Sequence, residues 1–219
     1  MHYRPSKRSD RIQSKNAFTL VELLAVVVAV LILTGITFSI SKGILNQQAR
    51  AKARAELSIL VQALEEFKLT YGDYPIASEV ITTNANSRIL TRALTGYAYL
   101  EPGTVAGTRV MTDVNDNEIR KSFVDIDKLN FSEPFRDPGN DLLVPNSASD
   151  LDRIYLVDPW RQPYVYVYNR GSSSNSWDNF GYVLFSKGPD REVDSGSITT
   201  DGIVDLNTYN NIDNIYPNQ

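Results

Sequence analysis

An α+β fold, built from one long N-terminal helix and a small C-terminal antiparallel β-sheet, is what this sequence predicts, and three observations lead to it. An apolar run from Phe18 to about Ile40 contains a single charged residue, Glu22. Beyond it, Ala53, Leu57, Leu60, Leu64, Phe67 and Tyr71 recur at intervals of three and four, the spacing of one helix face. Much later, Tyr164 to Tyr168 alternates Tyr and Val, and Phe180 to Phe185 is an apolar segment of strand length across a polar turn.

Residues 1–17 form a basic leader, with Arg4, Lys7, Arg8, Arg11 and Lys15 against the one acid Asp10. Positive charge beside an apolar run keeps that end in the cytoplasm. Residues 18–40 would span roughly 34 Å as a helix at ~1.5 Å per residue, enough to cross a bilayer core of ~30 Å, and so predict a single transmembrane pass. An unpaired charge inside such a span costs at least a few kcal/mol, which marks Glu22 as functional and in need of a partner. An incidental carboxylate snorkelling to the cytoplasmic edge is the plainer alternative.

Residues 41–75 continue as the amphipathic half of the same helix. No Pro or Gly interrupts Asn46 to Tyr71, Gly72 offers a C-cap, and Pro75 blocks a restart. A continuous helix from Phe18 to Tyr71 would be roughly 80 Å long, with Gly35 and Gly43 as places for a bend.

Residues 76–151 carry weaker signals. Ser87 to Leu94 predicts a short helix ended by Gly96, Ser122 to Leu129 reads as a strand or an irregular segment, and the stretch holding Gly103, Gly107 and Asp113 to Asn117 reads as loop. In residues 152–219, Ile154 to Val157 is a short strand, Asp158 to Pro163 is turn chemistry, and Gly171 to Ser176 is the tip joining the two strands of an antiparallel pair whose apolar face the long helix covers. The chain after Gly188 is rich in acids: Asp190, Glu192, Asp194, Asp201, Asp205 and Asp213. Clustered carboxylates without His or Cys suit a hard cation such as calcium, although on composition alone a solvated acidic loop is the simpler reading.

Composition excludes several functions. The net charge is −4, and loss of the leader would take it to −8, which argues against nucleic-acid binding through a basic patch. The single histidine, His2, lies in the leader and cysteine is absent, so the remainder can hold no Ser-His-Asp or Cys-His site, no His/Cys zinc site and no disulfide. An enzyme is therefore not expected; one working through a close pair of carboxylates in a cleft is the remaining enzymatic reading.

The segment Ala17-Phe18-Thr19-Leu20-Val21-Glu22 resembles the processing signal of type IV pilins and type II secretion pseudopilins, Gly followed by Phe-Thr-Leu-x-Glu, with Ala17 in the place of Gly. The resemblance implies cleavage between Ala17 and Phe18 by a membrane-embedded prepilin peptidase and N-methylation of the new Phe18 amine. It also implies that Glu22, then fifth in the chain, pairs with the Phe18 amine of a neighbouring subunit during assembly. Many type IV pilins close their C-terminal region with a disulfide, which this chain cannot do.

Further motifs resemble the major pseudopilin in particular. Phe67-Lys68-Leu69-Thr70-Tyr71-Gly72-Asp73-Tyr74-Pro75 is similar to its helix end, and Asp158-Pro159-Trp160 with Pro163-Tyr164 to its Asp-Pro-Trp-Gly-x-Pro-Tyr turn, Arg161 replacing the Gly. Ser186, Gly188, Pro189 and Asp190 are similar to its Ser-x-Gly-Pro-Asp loop. In that family the loop binds calcium, which implies ligands at Asp190 and at Asp213-Asn214, with Asp194, Asp201 and Asp205 competing. Trp160 is expected as an anchor under the sheet, Asp158 as a turn or cap residue, and 76–151 as an insertion on the variable face. The resemblance implies a structural subunit of a type II secretion filament. Such a subunit is held in the bacterial inner membrane, with its C-terminal domain in the periplasm. Its partners are copies of itself, minor pseudopilins and the inner-membrane assembly platform. A type IV pilin or minor pilin for adhesion, motility or DNA uptake shares the N-terminal features and is the alternative.

Overall fold

The computed structural model describes residues 19–77, 84–114, 120–133, 153–169, 181–194, 205 and 209–217, without the side chains of 36–43 and 169. The leader, Ala17 and Phe18, the tip Gly171 to Ser176 and Asp201 lie outside the described residues. The fold is α+β, with helices and small antiparallel sheets. Two compact units divide it, Met1–Ile44 and Leu45–Gln219. Helix α1 (Leu20–Tyr71) contributes to both.

In the first unit, Thr19 precedes the first turn and caps it. Its N–H and Oγ–H donate to Glu22 Oε2 at 2.9 and 2.8 Å, while Glu22 N–H donates back to Thr19 Oγ at 3.3 Å. This is a capping box, in which donors orphaned at the helix start and the carboxylate satisfy one another. The apolar residues that follow, from Leu20 to Leu33, are 47 to 82 % exposed. Among the described residues no helix is long and apolar enough to cross a membrane.

In the second unit the predicted stripe is the core. Ala53, Leu57, Leu60, Leu64 and Phe67 are fully buried, with Tyr71 packed beside them. Gly72 ends α1 at φ +82°, its N–H donating to Lys68 O at 2.6 Å, the left-handed cap that Gly adopts without a Cβ penalty. Helix α2 (Asn84–Thr95) adds Leu90, Ala93 and Leu94 to the same core.

Among the described residues, three two-stranded antiparallel sheets complete the unit. They are β1 (Ala98–Pro102) with β2 (Arg109–Asp113), β3 (Asn130–Ser132) with β4 (Tyr155–Val157), and β5 (Val165–Asn169) with β6 (Gly181–Phe185). The predicted pair is thus present as β5 and β6, in register Tyr166 to Leu184. The Tyr/Val alternation separates two cores instead of core and water. Tyr166 and Tyr168 face the α1 stripe, whereas Val165 and Val167 pack with Phe185, Val193 and Tyr216. In 76–151 the structure adds two strands that flank the expected loop at Gly103 and Gly107, and Ser122 to Leu129 takes the irregular form of the two expected. The loop around Gly103 and Gly107 is the turn of a β-hairpin whose strands, partly exposed, carry little apolar pattern. Ser122 to Leu129 contains a 3₁₀ turn, Ile126–Lys128, started by Asp125, whose side chain accepts from Asp127 N–H.

Candidate functional site

The turn after β4 is organised by one carboxylate. Asp158 is 1 % exposed, and its Oδ1 accepts from Trp160 N–H and Gln162 N–H, both at 2.9 Å. Its backbone closes the same turn, with Asp158 N–H donating to Gln162 O and Arg161 N–H to Asp158 O, each at 2.9 Å. Asp158 is therefore the turn residue that the sequence predicts, and Trp160 is half-buried against the main core. Arg161 stands at φ +63°, the left-handed conformation that Gly adopts most readily.

The other oxygen of Asp158 reaches a second motif. Ser186 is fully buried, and its hydroxyl donates to Asp158 Oδ2 at 2.6 Å while accepting from Gly188 N–H at 3.1 Å. Ser186 also exchanges both backbone bonds with Ile215, at 3.0 and 2.9 Å. Gly188, at φ +74°, lies against the 213–214 segment so closely that a Cβ there would stand 2.3 Å from Asp213 O. Burial raises the Asp158 carboxyl to about 6, with three hydrogen bonds opposing and the Glu56 charge adding.

The clasp presents oxygens. Asp213 Oδ2 accepts from Asp190 N–H at 3.1 Å, Asp190 Oδ1 accepts from Glu192 N–H at 2.9 Å, and burial together with neighbouring Asp190 raises the Asp213 carboxyl. Asp213 Oδ1 and Asn214 Oδ1 are buried and accept no hydrogen bond, although buried polar oxygens are normally satisfied. The structure thus brings Asp190, Asp213 and Asn214 into one loop. Asp194 and Asp205 enter through their backbones: Asp194 N–H donates to Asn211 Oδ1 at 3.2 Å and Asn211 Nδ2 donates to Asp205 O at 2.7 Å. Asn211, fully buried, went unnoticed in a polar tail where nothing sets it apart from other Asn residues. Among the described residues no group of three or more His, Cys, Asp or Glu side chains stands together as a metal site.

Sequence reasoning also missed Glu56. Its side chain lies in the helix stripe at 3 % exposure, and Tyr164 O–H donates to it at 2.5 Å, Asn130 Nδ2 at 3.2 Å, with Lys52 Nζ at 3.6 Å. Position 56 is three after Ala53 and four before Leu60, a spacing that reveals its burial. Burial raises its carboxyl above the usual range. A cavity of about 380 Å³ lies nearby, lined by Lys52, Asn130, Asp158, Arg161 and others. Glu56 and Asp158 are both held by internal donors.

At the other end, the structure gives Glu22 a partner that the sequence reading did not, namely Thr19. The signal was available, since Thr-x-x-Glu before an apolar run is a capping-box pattern. Comparison of the chain with protein-family models, curated proteins and solved structures gives no match.

Proposed function

We propose that this chain is a filament subunit of the pilin-like class, in which one long helix is backed by the α+β unit. In this reading residues 18–40 anchor it in the bacterial inner membrane, with the N-terminus in the cytoplasm and 45–219 in the periplasm. A prepilin peptidase cuts between Ala17 and Phe18, the Phe18 amine is methylated, and subunits assemble with their apolar helices together. The observation that carries the reading is the start of α1, where apolar residues exposed around the helix include one carboxylate, Glu22. A helix that is apolar all round is stable only when surrounded by lipid or by other apolar helices. Glu22 enters that setting at low cost if an opposite charge arrives with it, and the Phe18 amine of a neighbour supplies one.

The secretion filament is favoured over a surface pilus by the tie between Asp158 and Ser186, which links the two C-terminal motifs into one clasp. The donor set there fits calcium: two carboxylates and an amide, all hard oxygens, two of them buried without a hydrogen bond. Asp190, Asp213 and Asn214 would hold the ion, and with no cysteine available it would staple a tail that has few apolar residues.

Assembly is tested by Glu22→Val, which should still be processed yet form few filaments; normal filaments from that variant would sink the charge-pairing idea. Mass spectrometry should find an N-terminal methylated Phe18, and an intact leader in cells would contradict cleavage there. Long surface filaments, with secretion intact in a deletion strain, would move the assignment to a type IV pilin.

A further inference from the structure

The tie between Asp158 and Ser186 does more than close a turn. The Ser186 hydroxyl is used twice, donating to Asp158 Oδ2 at 2.6 Å and accepting from Gly188 N–H at 3.1 Å. Gly188 is in turn wedged against Asp213, with no room for a methyl group between its Cα and Asp213 O. Ser186 holds Ile215, two residues past Asp213, by a pair of backbone bonds at 3.0 and 2.9 Å. Both strands of the oxygen-bearing loop, 188–190 and 213–214, are thus fixed relative to one side chain, and that side chain is fixed by Asp158. Asp158 is itself held by Trp160 N–H and Gln162 N–H, so the chain of bonds ends in a rigid turn and not in solvent.

We infer that Ser186 and Asp158 are positioning residues for the cation loop, fixing the two segments that carry Asp190, Asp213 and Asn214 relative to one another. The inference rests on the calcium reading proposed above. Two buried oxygens left without a donor, Asp213 Oδ1 and Asn214 Oδ1, are the cost of that arrangement, and the clasp keeps them from relaxing toward other partners. Groups one shell out from a metal typically set its affinity by ten- to a hundredfold without touching it.

Calcium binding to the full chain in detergent, measured by calorimetric titration, decides the matter. Ser186→Ala removes both hydroxyl bonds and should weaken the calcium Kd about tenfold or more. Asp158→Asn keeps a link of reversed polarity, its Nδ2 donating to the Ser186 oxygen, and should weaken the Kd much less than Ser186→Ala. The readout is affinity and not melting temperature. A merely structural role for Ser186 would lower the calcium-free melting temperature and leave the Kd of the folded protein unchanged, and that result would overturn the inference. If Ser186→Ala does not fold, Ser186→Cys, with a weak donor of similar shape, should show the same loss. Absence of binding by the unaltered chain would remove the calcium reading itself and this inference with it. Binding by the unaltered chain with equal binding by the Ser186 variant would remove the inference alone.

Discussion

Replacing Asp158 with Asn removes a charge while leaving its contacts in place, which makes the cost of burying that charge measurable. In the folded chain the carboxyl keeps its proton to about pH 6, because burial penalises the anion more than three hydrogen bonds favour it; exposed in the unfolded chain it loses the proton near 3.8. Folding therefore takes up a proton between these values. The stability tied to the protonated form is complete below about pH 3.8 and is lost as pH rises through about 6. A shift of roughly two units at 1.36 kcal/mol each is about 3 kcal/mol. The Asn oxygen can accept from Trp160 and Gln162, and its Nδ2 can donate to Ser186, so near pH 4 the variant and the parent should be equally stable. At pH 7.5 the variant should be the more stable by up to about 3 kcal/mol, or roughly 6–12 °C in melting temperature for a unit of this size. Glu56 is also raised by burial, but it is present in both chains and largely cancels in the difference. Thermal unfolding of the two chains from pH 4 to 7.5, followed by circular dichroism, is the assay. Parallel pH curves, or an Asn variant less stable at pH 7.5 than at pH 4 relative to the parent, would refute the reasoning.

Tyr164→Phe deletes the 2.5 Å bond to Glu56 and leaves a buried carboxylate short of a donor, so it should cost about 1–3 kcal/mol in urea unfolding, and Glu56→Gln in the same background should recover part of the loss. Arg161 holds a left-handed conformation at φ +63°. Arg161→Gly should stay within about 1 kcal/mol of the parent, since relief of strain offsets the added freedom of the unfolded chain, whereas β-branched Arg161→Val should lose about 1–2 kcal/mol. Gly188→Ala brings a Cβ to 2.3 Å from Asp213 O at φ +74°, and should lower the melting temperature by several degrees and, on the proposed calcium reading, weaken calcium binding. A Gly188→Ala variant that melts and binds as the parent does would show that the two loop strands are not in the contact described.

The sequence made the helix core legible because its information is local and periodic. A stripe at three and four residues places Ala53, Leu57, Leu60, Leu64 and Phe67 on one face whatever covers them, and all are buried. The pair β5 and β6 was legible for a similar reason, since period-two alternation and a Gly/Ser turn suffice. What stood outside this logic was the identity of the second face. Val165 and Val167 look like outward positions until Phe185 and Tyr216 are brought over them by contacts distant in sequence. The hairpin of β1 and β2 was missed because half-exposed strands such as Arg109–Asp113 mix polar and apolar residues without a clean period. In the candidate cation loop, Asp190 and Asp213 stood out as acids and Ser186 as part of a motif, but the tie from Ser186 to Asp158 did not. Asn211 is a small polar side chain of ordinary appearance, and only its burial and its bonds to distant partners single it out.

The capping box at the start of α1 alters the energetics of the proposed assembly step. Read from sequence, Glu22 is a charge without an intramolecular partner, waiting for the amine of a neighbouring Phe18. In the structure its Oε2 accepts from both Thr19 donors, so a docking amine would meet a carboxylate already hydrogen-bonded once through the backbone and once through a hydroxyl. Each such bond is worth on the order of 1 kcal/mol net in water, and more where water is scarce. The amine therefore need not break the cap to bind, because Oε1 has no part in these two bonds and offers a second acceptor. Thr19 then lowers the cost of carrying Glu22 before docking and orients it during docking. On that account Thr19→Ala should reduce filament yield less than Glu22→Val does, and an equal loss from the two would mean that the cap, not the charge, controls assembly.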